Sequence, residues 1–122
     1  MKQGDIISAY KTLAIINRKP GLPFWLNQKL FLKKKELEPF WEMQKEQEIV
    51  LIEATGQTID NYTYTPELKK GLHVIEESEA VYDAKPLEII INEELAEKMG
   101  LTAEMLEHLD GFVHFTDGVS EG

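Results

Sequence analysis

The first regular hydrophobic spacing lies near the start of the chain. In the segment DIISAYKTLAIIN, Ile6, Tyr10 and Leu13 follow the i, i+4, i+7 spacing of one helical face. Asp5 is a suitable N-cap, because its carboxylate can accept hydrogen bonds from free amides of the first turn. The basic residues, proline and glycine of the run RKPG at 18–21 are typical of a helix end. The pattern therefore predicts a first helix over about 5–17.

A second, longer helix is predicted from about Pro23 to Ala54. Proline suits the first position of a helix, where its missing N–H would have no partner anyway. The apolar seam of this helix consists of Leu26, Leu30, Leu37, Phe40, Trp41, Gln44 and Leu51. Within the seam, four positions beginning at Leu30 recur every seven residues, which indicates coiled-coil packing, and Gln44 can set the register by pairing across helices. The short connection after the first helix makes the two helices antiparallel neighbours, a hairpin over about 5–54.

Pro39 lies in the middle of the second helix. Inside a helix, proline removes one backbone hydrogen bond and clashes with the preceding turn, at a cost of about 3 kcal/mol. The seam nevertheless continues in phase from Leu37 to Phe40 and Trp41. We therefore predict one kinked helix, bent so that the aromatic pair closes over another element or another chain.

Two short strands are predicted in the second half of the chain. The segment QTIDNYTYT at 57–65 is rich in threonine and tyrosine, which favour strands. The segment LEIII at 87–91 alternates inward and outward positions and gives the clearest strand signal. A strand, a helix and a strand in this order imply a small parallel pair.

A third helix is predicted between these strands. Thr65 is its N-cap and Pro66 its first residue. Helical spacing of apolar residues then continues to Tyr82, and Pro86 stops it.

Two short helices are predicted next. Asn92 caps the first, which Gly100 ends, and Thr102 caps the second, which Gly111 ends. The tail 116–122 is expected to be loose.

The predicted fold class is mainly α. An antiparallel helical hairpin with a long Pro-kinked second helix is joined to a small α+β C-terminal part, about 57–115, with a minor two-stranded sheet. We expect residues 1–122 to form a single domain.

Composition restricts the class of protein. The chain has 122 residues, of which 43% are hydrophobic and 29% charged, values typical of one globular domain. It has no apolar run near eighteen residues, and its start lacks the features of a secretory signal, so we expect no membrane partner and a cytoplasmic location. The absence of cysteine excludes disulfides and thiolate chemistry.

The net charge of −9 is unevenly distributed. Residues 1–55 carry a net +2 and residues 56–122 a net −11. The basic cluster Lys33-Lys34-Lys35, with Lys29 one turn earlier, is interpreted as a solvated helix face. The acidic half indicates a basic partner, the basic half of another copy, or a contribution to solubility.

The segment ELAEKMGLTAEMLEHL has the spacing of a helix-turn-helix. Ala96, Gly100, Thr102 and Leu106 occupy the positions of the small residue, the turn glycine, the cap and the apolar anchor. The second helix, however, lacks lysine and arginine and carries carboxylates, which repel a phosphate backbone. The charge disfavours nucleic acid as a partner. We interpret the corner as packed helices, with docking of a basic partner as the alternative.

The chemistry-bearing residues do not form a catalytic pattern. His108, Asp110 and His114 are close in sequence, but their spacing does not match a helical i, i+4 ligand pair, and we interpret the histidines as ordinary surface or half-buried residues. His73 stands alone. The sequence has no nucleophile elbow, phosphate-binding glycine loop or zinc-protease motif. We therefore predict no catalytic residue, no cofactor, no metal and no enzymatic activity.

Two aromatic pairs, Phe24-Trp25 and Phe40-Trp41, are the remaining candidates. Each pair points to two sides of its helix, and exposed aromatic residues mark interfaces. Packing within a monomer core is the alternative. The interface candidates are Phe24, Trp25, Leu30, Leu37, Phe40, Trp41, Gln44 and Leu51.

The chain also resembles a known family. The AY..L phrase within DIISAYKTLAIIN, the LP turn, the long Lys-rich then Glu-rich helix and the TG stop are similar to those of small tailed-bacteriophage proteins, the domain-of-unknown-function family 1617. The EIII strand and the acidic LT..ML..L segment extend the resemblance over about 115 residues. The residues PFW after the turn depart from the smaller ones usual there. The resemblance implies a phage-encoded protein of the host cytoplasm and supplies no catalytic residue.

Two functions follow as hypotheses. The first is a non-enzymatic interaction or assembly module that self-associates through the hairpin as a homo-oligomer, with a phage or host protein as a further partner. The alternative is a small regulator of host or phage nucleic-acid processes, acting through the acidic C-terminal half or the corner at 92–111.

Overall fold

The computed structural model describes residues 1–83 and 85–118. In chain order it has the helices α1 to α3, the strand β1, the helices α4 and α5, and the strand β2. Their bounds are α1 Gln3–Asn17, α2 Phe24–Ala54, α3 Pro66–Glu77, β1 Leu87–Ile91, α4 Glu93–Met99, α5 Ala103–Leu109 and β2 Val113–Asp117. The mainly helical fold class with a small two-stranded sheet in the C-terminal part is confirmed.

The hairpin of α1 and α2 is the largest part of the fold. Its inner face is fully buried at Ile6 and Leu13 on α1 and at Leu26, Leu30 and Leu37 on α2. Burying a leucine or isoleucine side chain contributes about 1.5–3 kcal/mol, so this seam is a major stabilising contact.

The predicted N-cap Asp5 is wrong. Helix α1 begins two residues earlier, after Lys2, and no side chain caps it. Its start is instead held by the chain after α3, because the amide of Gln3 donates to the carbonyl of Ser78 at 2.8 Å. Asp5 lies in the first turn, where its charge is still favourable near the positive helix end.

Helix α2 is continuous through Pro39. The proline is exposed, so the carbonyl four residues earlier that loses its partner lies towards water. The aromatic pair after it closes over two other elements, as predicted: the Trp41 ring stacks on Tyr10 of α1 at 5.4 Å between centroids, and the Phe40 ring meets Tyr82 edge-on at 5.7 Å.

Helix α3 starts as predicted, with the Thr65 hydroxyl accepting from the amide of Leu68 at 3.2 Å. The predicted continuation to Tyr82 is wrong, because α3 ends at Glu77. The chain beyond it is extended and pairs with the N-terminus, where the amide of Ala80 donates to the carbonyl of Met1 at 2.8 Å. Tyr82 then packs between Phe40 and Phe112.

The parallel strand pair consists of β1 and β2, with Leu87 opposite Val113 and Ile91 opposite Asp117. The predicted partner strand at 57–65 is wrong. That segment is a turn, in which the Gln57 side chain accepts a hydrogen bond from the amide of Thr63 at 2.8 Å. The crossover between the two strands is formed by α4 and α5 rather than by α3.

The loose tail predicted at 116–122 is wrong at its start. Thr116 and Asp117 belong to β2, and the amide of Gly118 donates to the carbonyl of Ile91 at 2.6 Å. The remainder, 119–122, lies outside the described residues.

The caps of α4 and α5 are confirmed. The Asn92 side chain accepts from the amide of Leu95 at 2.8 Å, and the Thr102 hydroxyl from that of Met105 at 3.1 Å. Gly100 ends α4 with φ 67°, a left-handed conformation that favours glycine. These short helices are therefore defined by their caps.

Lys33 fastens the segment before β1 to the hairpin. It is almost fully buried, and its ammonium donates to the carbonyl of Lys85 at 3.1 Å and pairs with Glu36 at 3.0 Å. The same ammonium lies 5.5 Å from the centre of the Tyr82 ring. Three contacts converge on this one charge.

We expect Lys33→Ala to lower the free energy of unfolding by about 1–3 kcal/mol, because the carbonyl of Lys85 loses its donor and removal of the almost fully buried Lys33 side chain leaves a cavity. Lys35→Ala is the matched control. Its ammonium pairs with Glu38 in a solvent-accessible i, i+3 bridge, and such a change stays within about 0.5 kcal/mol. Urea unfolding followed by circular dichroism measures both; equal losses would contradict the assigned role of Lys33.

The same group predicts a loss of stability at alkaline pH. Burial lowers the pKa of Lys33, but Tyr82 and Glu36 outweigh it, so the pKa lies above its ordinary value. Burial also raises the pKa of Tyr82 despite the opposing charge of Lys33. Both groups hold their protons more tightly in the folded state, so this stabilisation is complete below the unfolded pKa values and is lost as pH rises through the folded ones.

We therefore expect the free energy of unfolding to fall as pH rises above about 10. Lys33→Met should reduce that slope, because it removes one of the two groups. Urea titrations between pH 8 and pH 11.5 provide the measurement. An unchanged slope in the variant would show that Lys33 does not contribute.

Candidate functional site

The predicted interface candidates on the seam are largely inside the molecule. Leu30 and Leu37 are fully buried and Gln44 almost so, while Leu51 is half-buried. The heptad spacing therefore reflects packing of α2 against its own chain. The prediction that Leu30 and Leu37 are interface residues is wrong, because no partner can reach them without opening the hairpin.

Gln44 pairs across helices as expected, although within one chain. Its Oε1 accepts from the Gln3 side chain of α1 at 3.2 Å, and its amide donates to Glu48 at 3.2 Å. The Gln3 amide also donates to Gln47 at 2.9 Å. These bonds satisfy two buried polar groups and fix the height of α1 against α2, since a shift of one turn would break them.

The two predicted aromatic pairs have different environments. Phe40 and Trp41 are half-buried and pack on Tyr82 and Tyr10, so they belong to the fold. Phe24 is 79% exposed and Trp25 is 43% exposed at the start of α2. The exposed pair remains a candidate for contact with another molecule.

The exposed pair continues into a line of apolar side chains along α2. This line, the outer stripe, consists of Trp25, Leu32, Pro39, Met43 and Val50, all of them exposed. Their separations of seven, seven, four and seven residues keep them on one helical face. Sequence reasoning missed the stripe because the inner seam has the same heptad period, although the spacing itself was visible.

The C-terminal half of the stripe forms one wall of a groove. The groove has a volume of about 640 Å³ and lies between α2 and α3, with Met43, Val50 and Leu51 on one side and Val74 and Ile75 on the other. It is open to solvent, and Val50 and Val74 are more than half exposed. An apolar groove of this shape fits the side chains of a helix.

Gly71 allows the two walls to come close. A Cβ atom at this position would lie 2.7 Å from a terminal methyl group of Leu51, which is too near for an ordinary contact. The groove floor is therefore formed where α3 passes directly over α2.

The charges along α2 change sign from its first half to its second. Lys29 lies 5.8 Å from the centre of the Trp25 ring, and Lys34 lies 5.3 Å from that of Phe31. Glu46 and Gln47 line the groove at the other end. The basic first half carries projecting aromatic rings, and the acidic second half carries the groove.

A separate cleft of about 510 Å³ lies between α1 and α5. It is lined by Met1, Asp5, Ser8, Glu104, Glu107, His108, Asp110 and Phe112. The Nδ1 atom of His108 is 3.4 Å from the Thr12 hydroxyl, and its Nε2 is 4.0 Å from Glu104. Across residues 1–83 and 85–118, no group of three histidine, cysteine or acidic residues has the geometry to hold a metal ion.

The histidines considered together in the sequence are not brought together. His108 faces α1, whereas the Nδ1 atom of His114 lies 3.1 Å from Glu88 on the neighbouring strand. Their separation follows from the turn at Gly111, which has φ 87° and directs the chain from α5 into β2.

The corner formed by α4 and α5 has the turn expected of a helix-turn-helix but not its anchor. Leu106, the predicted anchor, is 46% exposed, and that assignment is wrong. Leu109 is fully buried instead, with Met105 packed against the core beside it. The helical period of α5 therefore directs Met105 and Leu109 inwards and leaves Leu106 outwards.

Comparison with protein-family models, with curated proteins and with solved structures finds no match to this chain. In the part of the chain that is described, no helix is both long and apolar enough to cross a membrane. The site is therefore assigned on its geometry.

Leu37 and Leu32 are five positions apart on α2; Leu37 lies in the core and Leu32 in the outer stripe. We expect Leu37→Ala to lower the free energy of unfolding by about 2–5 kcal/mol, because Leu37 is 0% exposed and its removal leaves a cavity. Leu32→Ala should change it by less than about 0.5 kcal/mol, since Leu32 is 60% exposed. Urea unfolding at low protein concentration makes the comparison; a large loss for Leu32→Ala would place the stripe inside the fold.

Proposed function

We propose that the protein is a non-enzymatic protein-interaction module that self-associates through the outward face of its helical hairpin. The outer stripe carries this proposal. Exposing a line of large apolar side chains to water is unfavourable, and such surfaces mark protein contacts. The stripe continues along the groove between α2 and α3, so the exposed apolar surface is long and is concave at its C-terminal end.

Helix α2 supplies a platform suited to this task. It has 31 residues and is therefore about 46 Å long. Its inner face is fastened to α1 by the buried seam, so the outer face is presented by a rigid element. A rigid surface loses little conformational entropy on binding.

The cleft between α1 and α5 supports the non-enzymatic part of the proposal, because its carboxylates lie in a different environment from those of catalytic sites. Its carboxylates, Asp5, Glu104, Glu107 and Asp110, are all exposed. Carboxylates that act as acid or base near neutral pH are typically held in apolar surroundings that separate their pKa values. Water-exposed carboxylates favour binding of a basic group over proton transfer.

The resemblance to small tailed-bacteriophage proteins supports a phage-encoded origin and a cellular location for this module. We place it in the cytoplasm of an infected host cell, where it takes part in assembly with copies of itself or with phage or host proteins.

The alternative proposal is a regulator of nucleic-acid processes. The cleft of four carboxylates favours it, and so does the turn at Gly100 between α4 and α5. Carboxylates on α5 repel phosphate, so in this case the protein would act by binding a basic protein surface rather than DNA itself. The outer stripe has no part in this alternative.

We expect the protein to show a mass that rises with concentration in sedimentation velocity runs between about 1 and 500 μM. Val50→Glu should shift that dependence to at least about tenfold higher concentration, because Val50 is 66% exposed in the free protein and a charge would be buried on association.

Ile15→Glu is the matched control. Ile15 is 52% exposed on α1, away from the stripe, so the same charge there should leave association unchanged. A monomer at every concentration that also captures no phage or host protein in pull-down would contradict the proposed function. Equal effects of the two substitutions would show that the stripe is not the contact.

A further inference from the structure

We propose that the partner of the outer stripe is the same stripe on a second copy, with the two α2 helices running antiparallel about a two-fold axis. This inference rests on the proposed function and adds the identity of the partner, its direction and its register. It follows from the way that the two halves of α2 complement each other.

The apolar positions are spaced for antiparallel pairing. Trp25 and Leu32 are seven residues apart, and so are Met43 and Val50. One antiparallel register therefore sets Trp25 of each copy against Val50 of the other, and Leu32 against Met43. This is the alternation of facing positions that antiparallel coiled coils use. In this one register each of the two pairs forms twice, once on each side of the two-fold axis.

The charges agree with the same register. Lys29 follows Trp25 by four residues and Glu46 precedes Val50 by four, so Lys29 of one copy faces Glu46 of the other. Within the described chain neither side chain forms an ion pair, whereas Lys35 pairs with Glu38 and Lys45 with Glu42. Opposite charges facing each other select this alignment over its parallel counterpart.

The groove between α2 and α3 can accept an aromatic side chain of the second copy. Trp25 projects from the start of α2, and the register directs it to Val50 of the other copy, which lines the groove of about 640 Å³. A tryptophan ring placed in an apolar groove is typical of the anchors that supply most of the energy of an interface.

The centre of the arrangement avoids charge repulsion. Glu36 is an acidic residue close to the two-fold axis, opposite Pro39 of the other copy. Its charge is balanced by Lys33 of its own chain at 3.0 Å. The exposed proline adds a flat apolar surface there without an N–H group that needs a partner.

The size of the surface approaches that of an ordinary specific interface. A helix of 31 residues and about 10–12 Å in diameter presents roughly 500 Å² in projection. The wall of α3 adds to this, towards the roughly 800 Å² per partner of ordinary specific interfaces. Because the same patch serves both copies, the assembly closes at two.

A charge exchange tests the register. Lys29→Glu and Glu46→Lys should each raise the dissociation constant of the dimer about tenfold, since two symmetric pairs become repulsive at once. The double variant Lys29→Glu/Glu46→Lys should return to within about threefold of the original. Sedimentation equilibrium measures all four proteins. Failure of the double variant to recover would overturn the proposed register.

Introduced cysteines test the direction, since the chain has none of its own. Leu32→Cys and Met43→Cys should form a disulfide with each other when mixed and mildly oxidised, because facing positions satisfy disulfide geometry. Each variant alone should crosslink poorly. Leu32→Cys crosslinking efficiently with itself would indicate parallel helices and overturn the inference.

The outcomes also separate this inference from the proposed function. If Val50→Glu weakens association but neither the charge exchange nor the mixed cysteines behave as stated, the stripe is an interaction surface and the antiparallel pairing is refuted. If the protein stays monomeric while a phage or host protein binds in a Val50-dependent way, the second copy is excluded as the partner. Circular dichroism of each variant verifies that these surface changes leave the fold intact.

Discussion

The packing of α1 against α2 determines the rest of the molecule. Once Leu30 and Leu37 are committed to that seam, the period of the helix decides which residues of α2 face away from it. Burial on one face therefore fixes exposure on the other. The same constraint that stabilises the fold also displays the outer stripe.

Two polar contacts refine this arrangement. The pairing of Gln3 with Gln44 fixes the relative height of the helices, because buried amides tolerate no shift in register. Lys33 fastens the segment before β1 to the hairpin through the carbonyl of Lys85. The start of β1 is thereby held beside Leu32 of the stripe, whose side chain is still 60% exposed.

Much of the fold could be predicted because it depends on local signals. The bounds of α2, the strand at 87–91 and the caps at Asn92 and Thr102 follow from periodicity and from side chains that satisfy neighbouring amides. The end of α3 and the partner of β1 could not be predicted in this way. Both depend on backbone hydrogen bonds between distant segments, such as Ala80 with Met1, which leave no trace in local spacing.

The candidate site was only partly predictable for a related reason. A heptad pattern indicates that a helix packs against something, but it does not say whether the neighbour belongs to the same chain. The pattern thus predicts an interface at Leu30 and Leu37, which form the core, whereas Phe24 and Trp25 are exposed as an interface requires. The stripe through Leu32 became recognisable only when burial separated the two overlapping patterns.

The absence of a side chain at Gly71 has a consequence for what the molecule can accept. The distance between α2 and α3 is set there by contact of the Leu51 methyl groups with bare backbone. Any added carbon would act as a wedge, spreading the helices or turning Leu51 into the space above them. The width of the groove at this point, and with it the size of the side chain that can enter there, therefore depends on the missing side chain of residue 71.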